Sequence, residues 1–141
     1  MNDPYNLQRF VDAQEPVFDR VRAELRNGVK RSHWMWFIFP QIQGLGYSEF
    51  ARKFAISSLD EAAAYLAHPV LGARLVECAD LVNHVEGRSI GQIFGSPDDM
   101  KFQSSMTLFA HAAPDNPVFD DALQKYFAGQ HDPATVRKLG V

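Results

Sequence analysis

Four times along this chain one of the good helix-capping residues Asp, Ser or Asn stands directly before proline: Asp3-Pro4, Ser96-Pro97, Asn116-Pro117 and Asp132-Pro133. Such a side chain can accept from an orphan N–H, and proline at the first helical position gives up no bond. Each pair therefore predicts a helix start. Between them the apolar residues recur at intervals of three and four, the helical period. Leu7, Phe10 and Val11 precede Pro16, and Val17, Phe18, Val21 and Leu25 follow it, which predicts two helices or one kinked helix ending at Asn27-Gly28. Ser58-Leu59-Asp60-Glu61 has the pattern of a reciprocal capping box and predicts a helix to about Ala67, broken at His68-Pro69. Val70, Leu71, Leu75, Cys78, Ala79 and Val82 then stripe a further helix that ends before Gly87. Helices from Pro97 to the Ala112-Ala113-Pro114 stop, from Pro117 to Phe127 and from Pro133 to Leu139 complete the reading. Trp34–Phe39 is the one stretch that could be extended, and no convincing hairpin is visible. The expected fold is all-α, a multi-helix bundle with short loops in a single globular domain spanning residues 1–141.

Composition narrows the function classes. With 46% hydrophobic and 12% aromatic residues the chain can build a packed core. A formal net charge of -3 argues against nucleic-acid coating. The charge is uneven, +2 over residues 1–53 and -5 over residues 54–141, and Arg20, Arg22, Arg26, Lys30 and Arg31 face only Glu24 locally. That run reads either as a solvated helix face or as a rim that attracts anions. One cysteine, Cys78, rules out an intramolecular disulfide and suggests a reducing compartment. The N-terminal residues from Met1 carry no cationic-then-apolar leader, and Trp34–Pro40 is too short to span a membrane, so a cytoplasmic location without membrane contact is expected. The five histidines show no metal-ligand spacing; neither a metal site nor a cofactor is expected.

Two segments could carry chemistry. In residues 30–46, Lys30, Arg31, His33 and Gln41 are interleaved with Trp34, Trp36, Phe37 and Phe39, and Gly44 and Gly46 let the backbone turn tightly or approach a ligand. In residues 94–109, Asp98, Lys101 and Ser105 share a helical face, with Ser104 beside them. If the two segments converge, Lys30, Arg31 and Lys101 would meet a negative charge. Trp34 or Trp36 would stack on a ring, and Gln41, Ser104 and Ser105 would hydrogen-bond sugar or phosphate oxygens. The expected partner is a small anionic or nucleotide-like metabolite. If chemistry follows binding, Asp98 or His33 is the acid–base group, and hydrolysis or group transfer the class. The alternative is a protein–protein interaction module that uses the tryptophan-rich segment without catalysis.

Ser32–Gln41, Gly44-Leu45-Gly46, His68–Gly72 and Asp98–Phe109 together resemble the bacterial family called domain of unknown function 1810, over Asn6 to Leu139. The resemblance implies a small, mainly helical fold and brings no activity, cofactor or partner with it. Relatives are sometimes labelled calpastatin-like, but that inhibitor is a disordered chain that folds on its target, and this composition is globular.

Overall fold

Helices begin where the chain offers an acceptor to an orphan N–H group. In the computed structural model, which describes residues 3–141, Asn116 accepts from Val118 N, Asp132 and Ser48 accept from Thr135 N and Ala51 N, and Ser58 accepts from Glu61 N. Among the described residues ten helices follow: α1 (Gln8–Gln14), α2 (Phe18–Arg26), α3 (Met35–Ile38), α4 (Glu49–Lys53), α5 (Leu59–Ala67), α6 (Leu71–Asn83), α7 (Ile90–Phe94), α8 (Asp98–Ala112), α9 (Pro117–Phe127) and α10 (Pro133–Leu139). The fold is all-α. No described residues form a strand; one isolated parallel bridge joins Ile42 to Ile56. Met1, where the reading for a leader begins, lies outside the described residues.

Four local expectations are corrected. Asp3 does not cap directly: its carboxylate reaches over Pro4–Asn6 to the amides of Leu7 and Gln8, because Asn6 adopts φ +53 and delays the helix. Ser96 does not cap α8; it is exposed, and Asp99 N donates instead to the Gly95 carbonyl at 2.9 Å. Only half of the Ser58 box forms, since the Glu61 side chain turns to the amide and hydroxyl of Ser57 and to Arg9. The reciprocal box forms at Ser89–Gln92 and opens α7, a helix the periodicity did not predict. Within Trp34–Phe39 the chain is helical over Met35–Ile38: Trp34, Met35, Ile38 and Phe39 are buried while Trp36 and Phe37 stay half-buried, which is the period of a helix and not of a strand.

The helices share one hydrophobic core. At its centre α8 packs on α5, α7, α9 and α10, and α6 packs on α2, α5 and α9. Phe10, Tyr65, Phe109 and Phe119 form one aromatic chain through it, and Trp34, Phe39, Phe94 and Phe102 form another. Each fully buried ring contributes about 2 kcal/mol or more in transfer free energy alone. Cys78 belongs to this core, where burial pushes its thiol up to about 12, far from reactive. No described helix is long and apolar enough to cross a membrane.

Candidate functional site

The two chemistry-bearing segments meet. Lys30 follows α2 and is tied to α7 by its amide, which donates to the Ile93 carbonyl at 2.7 Å. Its ammonium lies 2.9 Å from one oxygen of Asp98 and 5.2 Å from the centre of the Trp34 ring. The Lys101 ammonium lies 3.6 Å from the other oxygen of Asp98, one turn away, and 5.4 Å from the Trp36 ring. Lys30, Trp34, Trp36, Asp98 and Lys101 are thus brought together, two cations on one carboxylate with an indole under each.

Behind this cluster stands Glu24, buried on α2. It accepts from Trp34 Nε1 at 2.9 Å, from the amides of Arg31 and Ser32, and from the Ser32 hydroxyl. Burial pushes the Glu24 carboxyl up, but the donors from Ser32, Arg31 and Trp34 outweigh it and hold the group below its ordinary range. Acids of the second half reach part of the basic run of the first, while Arg20, Arg26 and Arg31 are exposed to solvent. Arg22 pairs with Glu77 as Lys30 pairs with Asp98.

The remaining sequence candidates disperse. His33 and the Arg31 side chain are exposed. Ser104 is buried, its hydroxyl donating to Asp132 at 3.0 Å, and Ser105 is fully buried with its oxygen unpartnered. Gln41 is half-buried, and its carbonyl accepts from Ile56 N.

Beside the Trp segment the chain leaves a cleft. The Ile42–Ile56 bridge pinches off a loop that carries the Gly44-Leu45-Gly46 turn and α4, and between this loop and α10 lies a hollow of about 660 Å³. Arg52 and Lys138 line it, with Tyr47, Ser57 and Ser58, and no carboxylate does. Among the described residues neither Arg52 nor Lys138 makes an ion pair. Gly44 has φ +91, and a Cβ there would sit 2.7 Å from Lys138 Nζ, so the ammonium rests directly on the glycine backbone. Tyr47 is 78% exposed and its ring is free for contact. Trp36 and Gln41 border a small recess lined by the same glycine turn. Tyr47, Arg52 and Lys138 were not singled out by sequence; the Gly44-x-Gly46 pair was the only signal near them. Among the described residues no three His, Cys, Asp or Glu side chains gather where a metal could be held.

Residues 4–139 match the family model described as protein of unknown function (DUF1810). The conserved hypothetical protein Rv1873 from Mycobacterium tuberculosis, whose crystal structure extends to 1.38 Å, is similar at 57% identity with a TM-score of 0.97, over 99% of each chain. No curated protein matches. With the match running from the first helix to the last, this chain belongs to the DUF1810 family.

Proposed function

We propose that this protein binds a small anionic, nucleotide-like metabolite in the cleft between the Gly44–Ser58 loop and α10. The observation that carries the reading is charge: Arg52 and Lys138 share a concave wall without any carboxylate to neutralise them. Unneutralised cations beside low-dielectric walls focus potential on an incoming anion. A guanidinium and an ammonium over a glycine backbone suit phosphoryl oxygens, and Tyr47 offers a face to a base or other ring. The hollow, about 660 Å³, falls in the range of ligand pockets. His33 and Asp98 do not line the cleft, and the proposal is one of binding.

Calorimetric titration and thermal shift with AMP, ribose 5-phosphate and inorganic phosphate test it. A ligand at a hundredfold its Kd should stabilise the native state by about 2.7 kcal/mol. Saturable binding by the wild type that is lost in Arg52→Ala/Lys138→Ala supports the reading; equal responses in both proteins, or none in either, sink it.

An interaction module remains the second reading, supported by the exposed Phe50 (52%), whose ring packs at a tilt 5.3 Å from that of Trp36. Trp34 and Phe39 are buried and take no part in it. Under this reading only one of the two indoles should be open to a fluorescence quencher, and self-association or partner binding should close it.

A further inference from the structure

We infer that Ser104, Thr107 and Asp132 form a positioning network that presents the Lys138 ammonium to the cleft, so that α8 sets the affinity of a site it does not line. The inference rests on the ligand reading above. α10 has seven residues, too few to be stable on helix propensity alone, and needs an external anchor. That anchor is Asp132. One of its carboxylate oxygens accepts from Thr135 N at 3.1 Å, from Thr135 Oγ1 at 2.6 Å and from Ser104 Oγ at 3.0 Å. Its backbone N–H donates to Thr107 Oγ1 at 2.9 Å, and that hydroxyl donates onward to the Gln103 carbonyl at 2.8 Å. One turn along the same face of α8, Gln103 Nε2 donates to the Gln130 carbonyl at 3.0 Å. Ser104, Thr107 and Thr135 are all buried, so water cannot replace these partners.

The geometry makes α10 a lever. Its root is pinned on α8, and Lys138 stands six residues further on, about 9 Å along the axis at the helical rise. A rotation of about 10° at Asp132 would carry the far end by about 1.5 Å over that length. Such a shift takes the ammonium off the Gly44 backbone and away from the anion it is placed to meet. Ser104, on this inference, acts on the ligand through Asp132 and not by touching it.

A double-mutant cycle between Ser104→Ala and Lys138→Ala, read as AMP affinity by calorimetry, tests the network. Lys138→Ala should weaken AMP by about tenfold, and Ser104→Ala by about threefold when Lys138 is present and not at all when it is absent. An equal penalty in both backgrounds, or none with Lys138 in place, overturns the positioning role while leaving the cleft as the site. No AMP binding by the wild type, or no effect of Lys138→Ala, sinks both. Should Ser104→Ala fail to fold, Thr107→Val keeps the buried volume, removes the acceptor for Asp132 N–H and enters the same cycle with the same expectations.

Discussion

Two places in this protein set a pair of cations beside an aromatic ring, and they differ in one respect. In the Lys30–Asp98–Lys101 cluster both oxygens of a carboxylate are taken by ammonium groups, and the Lys30 side chain is only 8% exposed. In the Arg52–Lys138 cleft no acid arrives, and the cations face solvent across a hollow. The first is a closed brace that ties the segment after α2 to α8. The second is open, and its charge is available. A concentration of cations and aromatics in a sequence therefore marks either a strut or a binding wall, and the arrival of an acid from elsewhere in the chain decides which.

The largest effect that would sharpen this contrast is at Glu24. Glu24→Ala strips the acceptor from Trp34 Nε1, two backbone amides and the Ser32 hydroxyl at once. Leaving these donors unpaired behind the closed cluster should cost about 3 kcal/mol of folding stability, read by urea denaturation. AMP affinity should not change in the folded fraction, because nothing in the cleft touches Glu24. A loss below about 1 kcal/mol would mean that the brace carries little of the structure.

Next come the two lysines, whose effects should cross. Lys138→Ala should weaken AMP about tenfold, or about 1.4 kcal/mol, with stability unmoved. Lys30→Met keeps the apolar stem over Trp34 but removes its charge from Asp98, and should cost about 1 kcal/mol of stability with AMP binding intact. Parallel losses in both assays for either variant would break the distinction. Gly44→Ala should lower both quantities. A left-handed φ costs a non-glycine residue about 1 kcal/mol, and the new Cβ would displace the Lys138 ammonium.

What the sequence made legible follows the range over which each signal acts. Helix limits set by neighbours were readable: α9 and α10 run between the predicted ends, capped by Asn116 and Asp132 and led by proline. Failures came where a competing partner lay nearby but out of pattern. Glu61 found Ser57 and Arg9 in place of Ser58, and Asn6 carried the Asp3 cap past Pro4. The convergence of residues 30–46 with 94–109 was legible as a density of polar groups among aromatics. Its sense was not, since helical spacing puts Asp98 beside Lys101 but cannot reveal that Lys30 completes the pair. Ser104 belonged to the pattern for a different reason, its bond to Asp132, which lies 28 residues away. The cleft itself was hidden because Arg52 and Lys138 are 86 positions apart and only packing makes them neighbours.

The smallest effect expected from the comparison is its dependence on acid. Donors from Ser32, Arg31 and Trp34 hold Glu24 below the ordinary carboxylate range against the burial that raises it, so the folded protein binds this proton less readily than the unfolded chain. The stability it supplies is then fully present above the unfolded pKa, about 4.3, and is lost as pH falls from there through the lower folded value. Asp3, held low by the Leu7 and Gln8 amides, acts in the same direction, so the measurement is a difference between wild type and Glu24→Gln. Denaturation curves taken between about pH 6 and pH 3 should fall less steeply for the variant, whose amide does not titrate there. The cleft supplies the control: no carboxylate lines it, so Arg52→Ala/Lys138→Ala should follow the wild-type slope. Equal slopes for wild type and Glu24→Gln would place the acid sensitivity outside the closed cluster altogether.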